Sequence, residues 1–124
     1  MAADLPLPAR LLVDAFERVQ GSVHGVVDGL DEEALVWRPD AEANSVAWLV
    51  WHLARVQDDH VVGVAERLGR PPAEQVWTAG GWARRFDLPF DDAAHGYGHS
   101  SDEVEQVRAP AELLTGDDEI VDTR

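Results

Sequence analysis

The sequence predicts an all-α protein built as a helical bundle, and three observations carry that prediction. Residues 44–68, NSVAWLVWHLARVQDDHVVGVAERL, run without a proline and with one glycine, Gly63, behind two residue types that cap helix N-termini, Asn44 and Ser45. Leu12, Phe16, Val19, Val23, Val26 and Leu30 recur at steps of four, three, four, three and four, a 3.5-residue seam that suits a helix packed lengthwise against others. Ser100 followed three residues later by Glu103 forms a capping box ahead of DEVEQVR.

Taken in order, Pro6 and Pro8 delay entry into the first helix. Gly21 and Gly25 lie inside it, each costing about 1 kcal/mol against alanine, and mark either a close approach to a neighbour or tolerated weakness. Asp31 caps a short turn, DEEALVW, whose acids suit the positive end of a helix, and Arg38-Pro39 stops it. In the long helix Ser45, Trp48, Leu49, His52, Val56, Asp59 and Gly63 share one stripe, with Val46, Val50, Leu53, Val61 and Val64 widening the apolar surface. Arg55, Asp58, Glu66 and Arg67 read as solvated. Gly69, Pro71 and Pro72 end the helix.

Residues 71–99 hold no long period of either kind yet carry Trp77, Trp82, Phe86, Phe90 and Tyr97. Such a connection between the second and third helices is expected to pack onto the bundle as an ordered loop or cover. Pro110 suits the start of a further helix, AELLTG, whose apolar pattern has no useful continuation before DDEIVDTR. Two long helices and a stub do not enclose a bundle core. The expectation is therefore a single domain over residues 1–124 that lacks a late helix, or else borrows helices from a partner.

Composition narrows the function classes. The chain has 124 residues and no cysteine, which removes disulfides, thiolate nucleophiles and cysteine-based zinc sites. Its formal charge is −14, and every basic residue other than histidine is arginine. An acidic surface repels phosphate backbones and anionic membranes, so neither nucleic acid nor membrane is an expected partner. MAADLPLPAR has no targeting pattern, and no apolar run reaches the length of a membrane span, so a cytoplasmic protein is expected.

On RLLVDAFERVQGSVHGVVDGLDEEALVWRPDAEANSVAWLVWHLARVQDDHV, followed by GGWARRFDLP and GYGHSSDEVEQVR, the chain resembles the DinB-like superfamily, in its branch related to mycothiol-dependent enzymes. The resemblance implies an up-down four-helix bundle, here incomplete. It also implies a divalent metal, zinc or nickel, held by one histidine on the second helix and two ligands four residues apart on a late helix. Relatives of this kind are thiol-dependent transferases or isomerases using a low-molecular-weight thiol such as mycothiol or bacillithiol, and a homodimer is expected. His52 in WLVWHLARVQDDH lies where the second-helix ligand belongs, whereas the late-helix pair has no counterpart.

Helix geometry limits how a site is completed from the residues present. His60 lies eight residues beyond His52, about 12 Å along a straight helix, so the two do not grip one ion. Asp59 is about 10 Å away by the same rise. Asp59 is thus expected as a supporting or capping partner, with His60 beside the site, while Trp48, one turn before His52, reads as core or else as a wall of the pocket. His95 and His99, four apart in HGYGH, would give a three-histidine set with His52, although the two glycines place them in a loop. His99 has the alternative of packing at the start of the next helix. From spacing alone, His52 reads as a buried neutral histidine bonded to a backbone carbonyl. Two functional readings remain: a metal-dependent thiol transferase or isomerase, or a non-catalytic helical module that dimerises and binds no metal.

Overall fold

The computed structural model describes residues 4–71 and 73–115. Among the described residues there are seven helices and no strands: α1 (Leu7–Val27), α2 (Glu32–Val36), α3 (Val46–Arg67), α4 (Val76–Ala79), α5 (Trp82–Phe86), α6 (Ser101–Glu105) and α7 (Ala111–Thr115). No helix among them is long and apolar enough to cross a membrane.

The helix starts obey local chemistry. Ser45 Oγ accepts from the backbone N–H of Trp48 at 3.0 Å, Asp31 from that of Ala34 at 2.8 Å, and both halves of the Ser100–Glu103 capping box form. Each satisfies an amide that the first helical turn leaves without a partner. Pro110 lends its carbonyl to the N–H groups of Leu113 and Leu114 at the start of α7.

Packing gathers at one end of the two long helices. Val27, Leu35, Ala47, Val50, Ala109 and Leu114 form one buried cluster, in which the end of α1 meets α7 and the start of α3. Trp48, Trp51, Val104 and Val107 form a second, and Phe86 packs against both. The α1 seam is therefore covered only at its C-terminal third. Leu12, Phe16 and Val19 remain 61, 43 and 40 % exposed, because the described part of α7 reaches only the end of α1; at that end the buried residue is Val27, at 0 %, while Val26 of the seam is 57 % exposed. An added Cβ at Gly21 or Gly25 meets open space, so among the described residues neither glycine marks a close approach.

Residues 73–99 pack down with two short helices that the sequence did not announce, except that Tyr97, expected among the packed aromatics, is 87 % exposed. Trp77, Phe86, Leu88 and Phe90 lie against the Trp51 cluster. The residue that fastens this segment is Arg55, and here the expectation from sequence is corrected. Arg55 is not solvated; it is 1 % exposed. Its Nε donates to Ala94 O at 3.0 Å and its Nη2 to Asp92 O at 3.1 Å. Nη1 donates to Gln75 Oε1 at 2.7 Å, and the guanidinium sits 5.1 Å from the centre of the Trp77 ring. Burial pushes its pKa down, and nearby Asp58, Asp59 and Asp92 oppose that. Arginine still keeps its proton, so the cation is held by three acceptors and an aromatic face. Asp58 is likewise engaged, taking the backbone N–H groups of Val76 and Trp77 at 2.9 and 2.8 Å and so capping α4 from a distance. The buried stripe of α3 is consequently turned toward Ala47, Trp51 and Arg55, leaving Leu49 48 % exposed.

Replacing Arg55 by Met should strip these acceptors of their donor and lower stability by about 3 kcal/mol, with Arg55→Lys a poor rescue because ammonium lacks the planar fork. Urea unfolding of the two variants measures it. A second outcome concerns Glu103, whose carboxyl the Ser100 backbone N–H holds below its ordinary 4.5, with the Ser100 side chain and His99 adding to that. A folded pKa below the unfolded one stabilises α6 above the unfolded value, and this is lost as pH falls through the folded value. In an NMR titration, Ser100→Pro, which removes both that N–H and the hydroxyl, should bring the Glu103 carboxyl back toward 4.5.

Candidate functional site

The first three turns of α3 carry Trp48, Trp51, His52 and Arg55, and the Arg55 bonds to Asp92 and Ala94 bring residues 95–99 over them. At Gly96 the backbone adopts φ +98°, and a Cβ there would lie 2.9 Å from both His52 Nδ1 and Trp48 Cζ2, and 3.0 Å from Trp51 Cζ3. Only glycine tolerates both that dihedral and that approach. The chain thus closes onto α3 backbone first.

The result is a hydrogen bond between His52 Nδ1 and the carbonyl oxygen of His95. A carbonyl only accepts, so Nδ1 carries the proton and Nε2 keeps its lone pair. The half-buried His52 ring stacks on Trp48 with centroids 4.6 Å apart and planes 17° from parallel. Trp48 Nε1 donates to His99 Nδ1 at 3.1 Å. The His99 ring lies against Trp51, at 5.6 Å and 14°, and Phe90, at 4.5 Å, while its Nε2 is 3.8 Å from a Glu103 oxygen.

Of the residues expected at the site, the structure gathers Trp48, His52 and His99 with the backbone of His95. The His95 ring touches exposed Tyr97 edge-on at 6.4 Å, and its Nδ1 is buried with no partner among the described residues. Asp59 and His60 are engaged elsewhere: Asp59 accepts from Gln75 Nε2 at 3.0 Å, and exposed His60 donates from Nδ1 to Val56 O at 2.8 Å. Among the described residues no three His, Asp or Glu side chains are placed to hold one metal ion. The parts played by Arg55, Gly96 and Gln75 were not legible from sequence; the glycines of HGYGH were the one available signal, since they mark where backbone must approach closely.

The described residues form an all-α protein in which a histidine on a long amphipathic helix is held by a carbonyl from a glycine-bearing loop. Its sequence matches the DinB superfamily over residues 15–117. The chain belongs to the DinB superfamily. A crystal structure described as the conserved protein of locus from Enterococcus faecalis is similar, with TM-score 0.73 and 21 % identity over 86 % of this chain. At that identity the likeness concerns the fold. The chain spans 60 % of that protein's length. No match is found among curated proteins.

Gly96→Ala should force the loop off α3, lowering stability by about 1–3 kcal/mol and breaking the His52–His95 bond. Thermal melting together with the His52 ring proton resonances reads both effects.

Proposed function

We propose that this chain uses His52 as a donor to a divalent metal, zinc or nickel, in a thiol-dependent transferase or isomerase acting with a low-molecular-weight thiol such as mycothiol. The observation that supports it is the His52 Nδ1–H bond to the His95 carbonyl. Histidine ligands commonly give their second ring N–H to a carbonyl, which fixes the tautomer and the ring direction. This tautomer leaves the Nε2 lone pair of His52 for a metal, which supports the reading. A catalytic zinc takes three protein ligands, and the described residues supply one aligned imidazole, so the reading needs further donors from outside them. Bound there, such a metal would lower the pKa of a thiol or water and make a nucleophile at neutral pH. For its part the chain aligns His52 through the His95 carbonyl and covers one face of the imidazole with the Trp48 indole.

A second reading, a non-catalytic module that forms a homodimer without metal, draws support from a different observation. Among the described residues Leu11, Leu12, Phe16 and Val26 of α1 are 62, 61, 43 and 57 % exposed, and an exposed apolar strip is a feature of interaction surfaces.

Elemental analysis of purified protein reconstituted with zinc or nickel, and of His52→Ala treated alike, separates the two. About one metal per chain that disappears in the variant is expected. Metal-free protein that sediments as a dimer, with His52→Ala indistinguishable from it, would overturn the first reading in favour of the second.

A further inference from the structure

We infer that Trp48 and His99 are positioning residues for His52, and that the cluster holds its two histidine rings in opposite tautomers. The inference rests on the reading of His52 as a cation donor. An indole N–H only donates, so the 3.1 Å contact from Trp48 Nε1 requires a lone pair on His99 Nδ1. The neutral His99 ring then carries its hydrogen on Nε2, the nitrogen facing Glu103 Oε2 at 3.8 Å. His52 has the reverse arrangement, with its proton on Nδ1 under the His95 carbonyl.

The contacts form a chain that ends at the His52 ring. His99 is fixed by its ring contacts to Trp51 and Phe90 and by its backbone N–H, which donates to Gly96 O at 3.1 Å. Through Nδ1 it sets the rotation of the Trp48 indole, and that indole face lies 4.6 Å from the His52 ring. Gly96 lies against the Nδ1 edge of His52 and the Trp48 ring, leaving no room for a methyl group beside either. Ligation through His99 Nδ1 would take the lone pair that Trp48 uses, and ligation through Nε2 would move the ring hydrogen onto Nδ1; either sacrifices the Trp48 bond, so His99 acts on the site through Trp48. The indole face also favours an imidazole that gains positive character when Nε2 binds a cation.

Long-range proton–nitrogen NMR of the full chain, well above the usual imidazole pKa of about 6.5, tests this without any activity assay. The expected result is an Nδ1–H pattern for His52 and an Nε2–H pattern for His99. His99→Asn offers an oxygen near the Nδ1 position and should keep the His52 pattern sharp. His99→Leu and Trp48→Phe should broaden or average it. With zinc ions alone as probe, those two variants should bind about 10–100-fold more weakly than wild type while His99→Asn stays close to it. Matching tautomers in the wild-type protein, an unchanged His52 pattern in folded His99→Leu, or a zinc-induced coordination shift at a His99 nitrogen would each overturn the assignment. Should zinc not bind wild type at all, the metal reading fails, and the tautomer pattern alone decides the positioning roles.

Discussion

The burial of the Arg55 guanidinium is the constraint on which the rest of this structure depends. A cation taken out of water is costly unless every donor finds an acceptor. Here the acceptors are the carbonyls of Asp92 and Ala94 and the side chain of Gln75, all in the segment between α3 and α6. Satisfying the charge therefore fixes a long connection against one helix. The next residues along the chain inherit that placement: His95 and Gly96 come down on His52 and Trp48, one and two turns before Arg55.

That dependence links a structural cation to the candidate chemistry. The segment packs Trp77, Leu88 and Phe90 against the Trp51 cluster, and its next residues carry the His95 carbonyl to His52. A histidine with an unrestrained ring would divide its time between tautomers and rotamers. His52 is held by a carbonyl at one edge and an indole on one face, and its Nε2 lone pair is the consequence.

Much of the fold was legible because its signals are local. The caps at Ser45, Asp31 and Ser100 act over three residues, and each is found where the sequence puts it. Arg55 was misread because helical periodicity assigns a charged residue to solvent, and backbone carbonyls 37 and 39 positions away leave no mark on residue identity. The α1 seam was read through Val26, whereas the structure buries its neighbour Val27 and leaves most of the seam exposed, because apolarity does not say which part or which edge of a helix will be covered. At the site, His52 stood out as a histidine on an apolar face. Its partner escaped notice for a physical reason: the group contributed by His95 is its main chain, which any residue type would supply. His99 was visible as a candidate ligand, whereas its bond to Trp48 spans 51 positions and has no spacing rule to reveal it.

The central claim is that the Arg55-fastened segment sets the state of the His52 ring. The most direct measurement is the His52 ring-nitrogen NMR pattern in wild type and in a folded Arg55→Met variant. A single Nδ1–H tautomer in the wild type that becomes averaged in the variant is the predicted result. The same sharp Nδ1–H pattern in both proteins would contradict the claim, because the ring would then be oriented without the clamp.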